Sequence, residues 1–114
     1  MMQCVVETRA YLRAADEEGV SEAERIEIID AIAADPLAGD LIKDTGGARK
    51  VRFAGRGKGK SGGYRIIYYF ADSEIPIFLM DIYGKATKAD ISAADRKALR
   101  VILSRIADDY QRSF

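Results

Sequence analysis

Residues 64–70, YRIIYYF, constrain this chain more than any other stretch. All but one of the seven are β-branched or aromatic, the signature of a strand. Alternation then gives Tyr64, Ile66, Tyr68 and Phe70 one wholly apolar face and leaves Arg65, Ile67 and Tyr69 on the other. A strand of this kind needs partners. Upstream, residues 49–53 alternate, with Val51 and Phe53 opposed to Lys50 and Arg52. Downstream, residues 75–83 read as a third strand after the turn at 71–74, with Pro76 near its start, where a missing amide is tolerated. There Phe78, Met80 and Ile82 are expected on one face, and Leu79, Asp81 and Tyr83 on the other. Consecutive hairpins make the three strands antiparallel.

Helices flank this β section. Residues 3–8 are a short first strand, and residues 8–18 a weakly amphipathic helix closed by Gly19. Ser21 with Glu24 forms a capping box. Ile26, Ile29, Ile32 and Ala33 behind it mark an apolar stripe, and Asp35-Pro36 stops that helix. Residues 37–47 are rich in turn formers. Ser92 and Asp95 offer a second cap, followed by Leu99, Ile102, Leu103, Ile106 and Tyr110 on one face of a closing helix. The order β-α-α-β-β-β-α predicts one α+β domain over residues 1–114, its helices packed on one face of a small, mainly antiparallel sheet.

The net charge is zero, but its distribution is not even. Residues 1–48 carry four basic and eleven acidic side chains, a balance of −7. Residues 49–65 carry seven basic and no acidic ones. That segregation points to a polyanion on one face, or to a solvated basic loop. Within it AGRGKGKSGG (54–63) nearly matches the phosphate-cradling signature G-x-x-x-x-G-K-[S/T]. Such a loop needs a helix N-terminus behind it. Here a strand follows, and Ala54 stands where the first glycine belongs, so nucleotide binding is excluded. The loop is instead a glycine-rich, cationic hairpin connection. Lys50, Arg52, Arg65, Asp81 and Tyr83 share one side of the sheet, with the loop at its rim and Lys85 and Lys88 just beyond the third strand.

Other classes fall away on composition. Cys4 is the single cysteine, so no internal disulfide forms; its apolar surroundings suggest a small buried residue. No apolar run approaches the ~20 residues of a membrane helix, and no signal peptide is evident. A cytoplasmic setting is expected. The chain has no histidine, which removes an imidazole acid–base pair. Its carboxylates do not cluster beside the cations in sequence, which disfavours a two-metal phosphodiesterase. No metal or cofactor is expected.

The segments Gly46 to Arg52, Gly57 to Arg65 and Tyr83 to Lys85, at this spacing, resemble the RelE/HigB superfamily of toxins from type II toxin–antitoxin modules, most closely its HigB-like branch. The resemblance implies a ribosome-dependent mRNA endoribonuclease that works without metal, by attack of a ribose 2′-hydroxyl on the adjacent phosphate. Besides mRNA and the ribosome's decoding site, it implies a cognate antitoxin, often a helix-turn-helix DNA-binding protein, that neutralises the toxin and represses the shared operon. Arginine stays charged, so Arg65 suits phosphorane stabilisation and not base catalysis. A lysine crowded by cations loses basicity and can accept a proton, which nominates Lys58, Lys60 and Lys85. Tyr83 can stack on a base, orient the 2′-hydroxyl or carry a proton. Arg49, Lys50, Arg52, Arg56 and Lys88 are the expected RNA-binding cations. Some relatives carry a second arginine where this chain reads Lys85-Ala86-Thr87-Lys88; a lysine supplies the charge without the bidentate fork.

Structural roles compete with each of these. Arg65 can pair with Asp81 across the hairpin, Tyr83 can be a sheet aromatic, and Lys85 and Lys88 can form a solvated turn. Lys58 and Lys60 can bind ribosomal RNA without taking part in chemistry. The acidic clusters at 16–18 and 22–27 read as solvated helix faces or as contacts for antitoxin. Two further functional classes stand beside the ribonuclease: a non-catalytic, ParE-like toxin acting on DNA gyrase, and a plain RNA-binding module.

Overall fold

The computed structural model describes residues 3–54, 63–84 and 87–112. In chain order the elements are β1 (Val5–Glu7), α1 (Arg9–Glu17), α2 (Glu22–Ala34), β2 (Asp40–Leu41), β3 (Ala48–Phe53), β4 (Tyr64–Tyr69), β5 (Ile77–Gly84) and α3 (Ala93–Arg112). They form an α+β domain around one five-stranded sheet ordered β1-β5-β4-β3-β2. β1 runs parallel to β5 and the other pairs are antiparallel. The two-residue β2 lies in the stretch expected to hold only turns.

The helix ends follow their sequence signals. Thr8 caps α1 through the Tyr11 amide (3.2 Å), and its hydroxyl also donates to the Leu79 carbonyl at 2.6 Å, fastening α1 to β5. The Ser21 hydroxyl accepts from the Glu24 amide (3.1 Å) while Glu24 accepts from the Ser21 amide (3.1 Å), the reciprocal pair that satisfies two orphan donors. Ser92 and Asp95 repeat it at α3, at 3.0 and 3.2 Å.

The helices do not share one face of the sheet. Tyr11, Ala15, Ile28 and Ile32 from α1 and α2 pack with Ile66, Tyr68, Leu79 and Ile82. Leu99 and Leu103 from α3 pack on the opposite side with Ile67, Tyr69, Met80 and Tyr83. The sheet is sandwiched because β4 is apolar on both sides. The buried stripe of α2 also differs from the expected one: Ile28 is buried and Ile26 is 54 % exposed. Both residues fit a three- and four-residue repeat, and only contact with the sheet selects between phases.

A β-bulge corrects the expected faces of the third strand. Ile67 pairs with Asp81 but Tyr68 pairs with Leu79, so Met80 is an extra residue. Leu79 therefore joins Ile82 beneath α1 and α2, and Phe78 and Met80 turn to the α3 side. Beyond the bulge Asp81 and Tyr83 keep the expected side.

Candidate functional site

The register brings three of the nominated side chains into one row. Arg52 lies opposite Arg65, and Arg65 opposite Tyr83. Directly opposed residues of antiparallel strands point to the same face, so this row crosses the α3 side of the sheet beside the connection between β3 and β4. Two residues along, Lys50, Ile67 and Asp81 form a parallel row on the same face. Two arginines face to face repel in isolation and cooperate around a shared anion.

Carboxylates interleave with the cations, contrary to the expectation that they stand apart. Lys50 meets Asp90 at 3.1 Å, and Arg96 meets the same carboxylate at 3.6 Å. Lys88 meets Asp81 at 3.1 Å and Asp95 at 3.6 Å. The pairs join β3 and β5 to the start of α3 and to the turn before it. These separations in sequence, 40 residues for Lys50 and Asp90, hide the clustering from a linear reading. Among the described residues no three His, Cys, Asp or Glu side chains form a group that could hold a metal. The Ile91 amide and the Lys50 ammonium hold the Asp90 carboxyl below its usual range.

Tyr83 ends the row on β5 and is 1 % exposed. Its ring is covered by the α3 core, and the Lys88 ammonium lies 4.8 Å from the ring centroid. Base stacking is therefore closed to Tyr83 in this conformation. Burial pushes its phenol up to about 12, Asp90 and Asp81 add to the rise, and Arg65 opposes it. The hydroxyl completes no hydrogen bond with a described group, although Asp90 lies near enough to act on its proton. A phenol this hard to ionise donates hydrogen bonds near neutral pH and is not a base there.

Other nominated residues lie elsewhere. Arg49 is opposite Tyr68, on the α1 and α2 side, and its guanidinium donates to the Gly39 carbonyl at 2.7 Å. Strand alternation separates it from Lys50 and Arg52, so it stands apart from the cationic face. Cys4 is exposed: it precedes β1 at the edge of the sheet, where its carbonyl accepts from the Ile77 amide (2.8 Å). Arg56, Lys58, Lys60 and Lys85 lie outside the described residues.

Three contributors were not singled out as site residues in the sequence. Arg96 is brought in by α3 and Asp90 by the turn before it. Glu18, grouped there with a solvated acidic face, accepts from the Gly84 amide at 3.0 Å and from the Thr87 hydroxyl. Glu24, from the second acidic cluster, is buried in its capping box. Only its place in the S-x-x-E pattern signalled that difference.

Comparison with known proteins bears on the family and the fold. The family model described as the RelE toxin of the RelE/RelB toxin–antitoxin system matches residues 3–113. A solved structure of the E. coli toxin RelE in the free state, carrying two arginine-to-alanine substitutions, has a similar fold. It superposes with a TM-score of 0.51 at 19 % identity, over 89 % of this chain and 96 % of that one.

Proposed function

The chain belongs to the RelE toxin family, and from that premise we propose that it is an endoribonuclease that cuts mRNA on the ribosome and so stops translation. The observation that carries this reading is the row of Arg52, Arg65 and Tyr83 across one face of the sheet. It offers two guanidinium forks to a single phosphodiester, with the buried Tyr83 packed at the end of the row and Lys50 and Lys88 beside it to hold flanking phosphates.

In this reaction the ribose 2′-oxygen forms a bond to the adjacent phosphorus, and the bond from phosphorus to the 5′-oxygen breaks. The products are a 2′,3′-cyclic phosphate and a 5′-hydroxyl. The 2′-hydroxyl proton passes to a base, for which Lys58, Lys60 and Lys85 remain the candidates on sequence. A proton must also reach the leaving 5′-oxygen. Arg65 stabilises the extra negative charge on the phosphorane. Tyr83, kept neutral by burial, has its hydroxyl covered and supports the neighbouring Arg65 and Lys88 without touching the RNA. Lys50, Arg52, Arg56 and Lys88 bind RNA phosphates, and an encounter with RNA exchanges the aspartate partners of Lys50 and Lys88 for phosphates. The toxin's partner is its antitoxin, for which a helix-turn-helix DNA-binding protein is the proposed type, as in HigB-like modules.

The test is to supply purified protein to translating ribosomes and map mRNA ends by primer extension, with free mRNA in parallel. Cuts on ribosome-bound message alone are expected. Intact message in both arms overturns the proposal.

A further inference from the structure

We propose that Glu18 is a positioning residue for the cleavage site: its carboxylate clamps the turn after β5 and so fixes Lys88 against Tyr83. The inference rests on the ribonuclease reading of that face. Glu18 is held at the end of α1 by a complete C-terminal cap. Its own amide donates to Ala14 at 3.0 Å, the Gly19 amide to Asp16 at 3.1 Å and the Val20 amide to Ala15 at 2.9 Å. Gly19 turns the chain at a φ of 74°. A carboxylate here opposes the helix dipole, which favours cations at this end. That local cost is offset by what the carboxylate grips. One oxygen accepts from the Gly84 amide (3.0 Å) and the other from the Thr87 hydroxyl, 66 and 69 residues away.

The carboxylate comes close to the backbone at Gly84. A β-carbon there would stand 2.9 Å from the Glu18 carboxylate, which would have to shift to admit it, and at an ordinary 3.8 Å from the Gly63 carbonyl. The Gly84 carbonyl in turn accepts from the Thr87 and Lys88 amides at 3.1 and 3.3 Å. Lys88, thus oriented, reaches Asp81 at 3.1 Å and lies 4.8 Å above the Tyr83 ring. The contacts lead from the end of α1 through Gly84 and Thr87 to Lys88 and the Tyr83 ring.

Three variants test it: Glu18→Ala removes the clamp; Glu18→Gln keeps an acceptor for Gly84 and a donor for Thr87 without the charge; Thr87→Val cuts one of the two bonds. The readouts are the ring-current shift of the Lys88 ε-methylene protons, hydrogen exchange at the Gly84 amide, and kcat and KM on ribosome-bound mRNA. For Glu18→Ala the shift is lost, exchange speeds up, kcat falls roughly tenfold to a hundredfold, and KM rises as Lys88 loses its place among the phosphate contacts. Glu18→Gln restores all of these, and Thr87→Val falls between, which keeps the test open should Glu18→Ala not fold. An unchanged shift and kcat in Glu18→Ala, or a Glu18→Gln as impaired as Glu18→Ala, overturns the clamp. A wild-type protein that leaves message intact refutes the ribonuclease reading instead, and the shift and exchange readouts then judge the clamp alone.

Discussion

Strands β3, β4 and β5 present two faces, and the two are finished differently. Beneath α1 and α2, Ile66, Tyr68, Leu79 and Ile82 close into a hydrophobic core. On the α3 side, Ile67, Tyr69 and Met80 bury with Leu99 and Leu103, while the same strands carry Lys50, Arg52, Arg65 and Asp81 toward the loop end. One face is committed to stability. The other divides its length between a core and a charged patch, held in the free protein by internal aspartates.

The division predicts unequal responses to substitution. The largest change in stability is expected at the adjacent, fully buried pair Ile66 and Ile67, which point to opposite faces. Ile66→Ala and Ile67→Ala should each cost about 2–5 kcal/mol in urea unfolding. A negligible cost at Ile67 would remove the α3 side from the core. Next comes the Tyr83 phenol, whose ionisation is expected in an ultraviolet titration near its value of about 12. Because the folded value lies above the unfolded one, its contribution to stability is complete below about pH 10 and disappears as pH rises through the folded value. Ionisation near 10 would mean that α3 does not cover the ring. Ser21→Ala tests the stable side at its rim and should lower unfolding free energy by about 1 kcal/mol. The smallest stability effect, under about 1 kcal/mol, is expected for Lys50→Ala, since its bridge to Asp90 is partly exposed. That variant should instead weaken RNA binding and reduce the salt slope by about one.

What could be read from the sequence follows from the range of each signal. The capping boxes at Ser21 and Ser92 and the stop at Asp35-Pro36 are local chemistry, and all three stand in the structure. The grouping of Lys50, Arg52, Arg65, Asp81 and Tyr83 was legible too, because a period of two carries along each strand. Alternation fails where a residue is inserted, so the bulge at Met80 was invisible. It does not choose between helix phases either, hence Ile28 in the core in place of Ile26. Pairings made by the fold across long separations, such as Lys50 with Asp90 or Glu18 with Gly84, leave no linear trace. The acidic half of the chain therefore looked solvated, although Glu24 is buried and Glu18 grips β5.

The division of labour between the two faces is tested most directly by Arg65→Ala in the translating-ribosome cleavage assay, with its melting curve recorded beside it. A loss of cutting of roughly a hundredfold or more, with melting close to wild type, is the predicted result. Undiminished cutting by a folded Arg65→Ala protein would contradict it and move the chemistry away from this row.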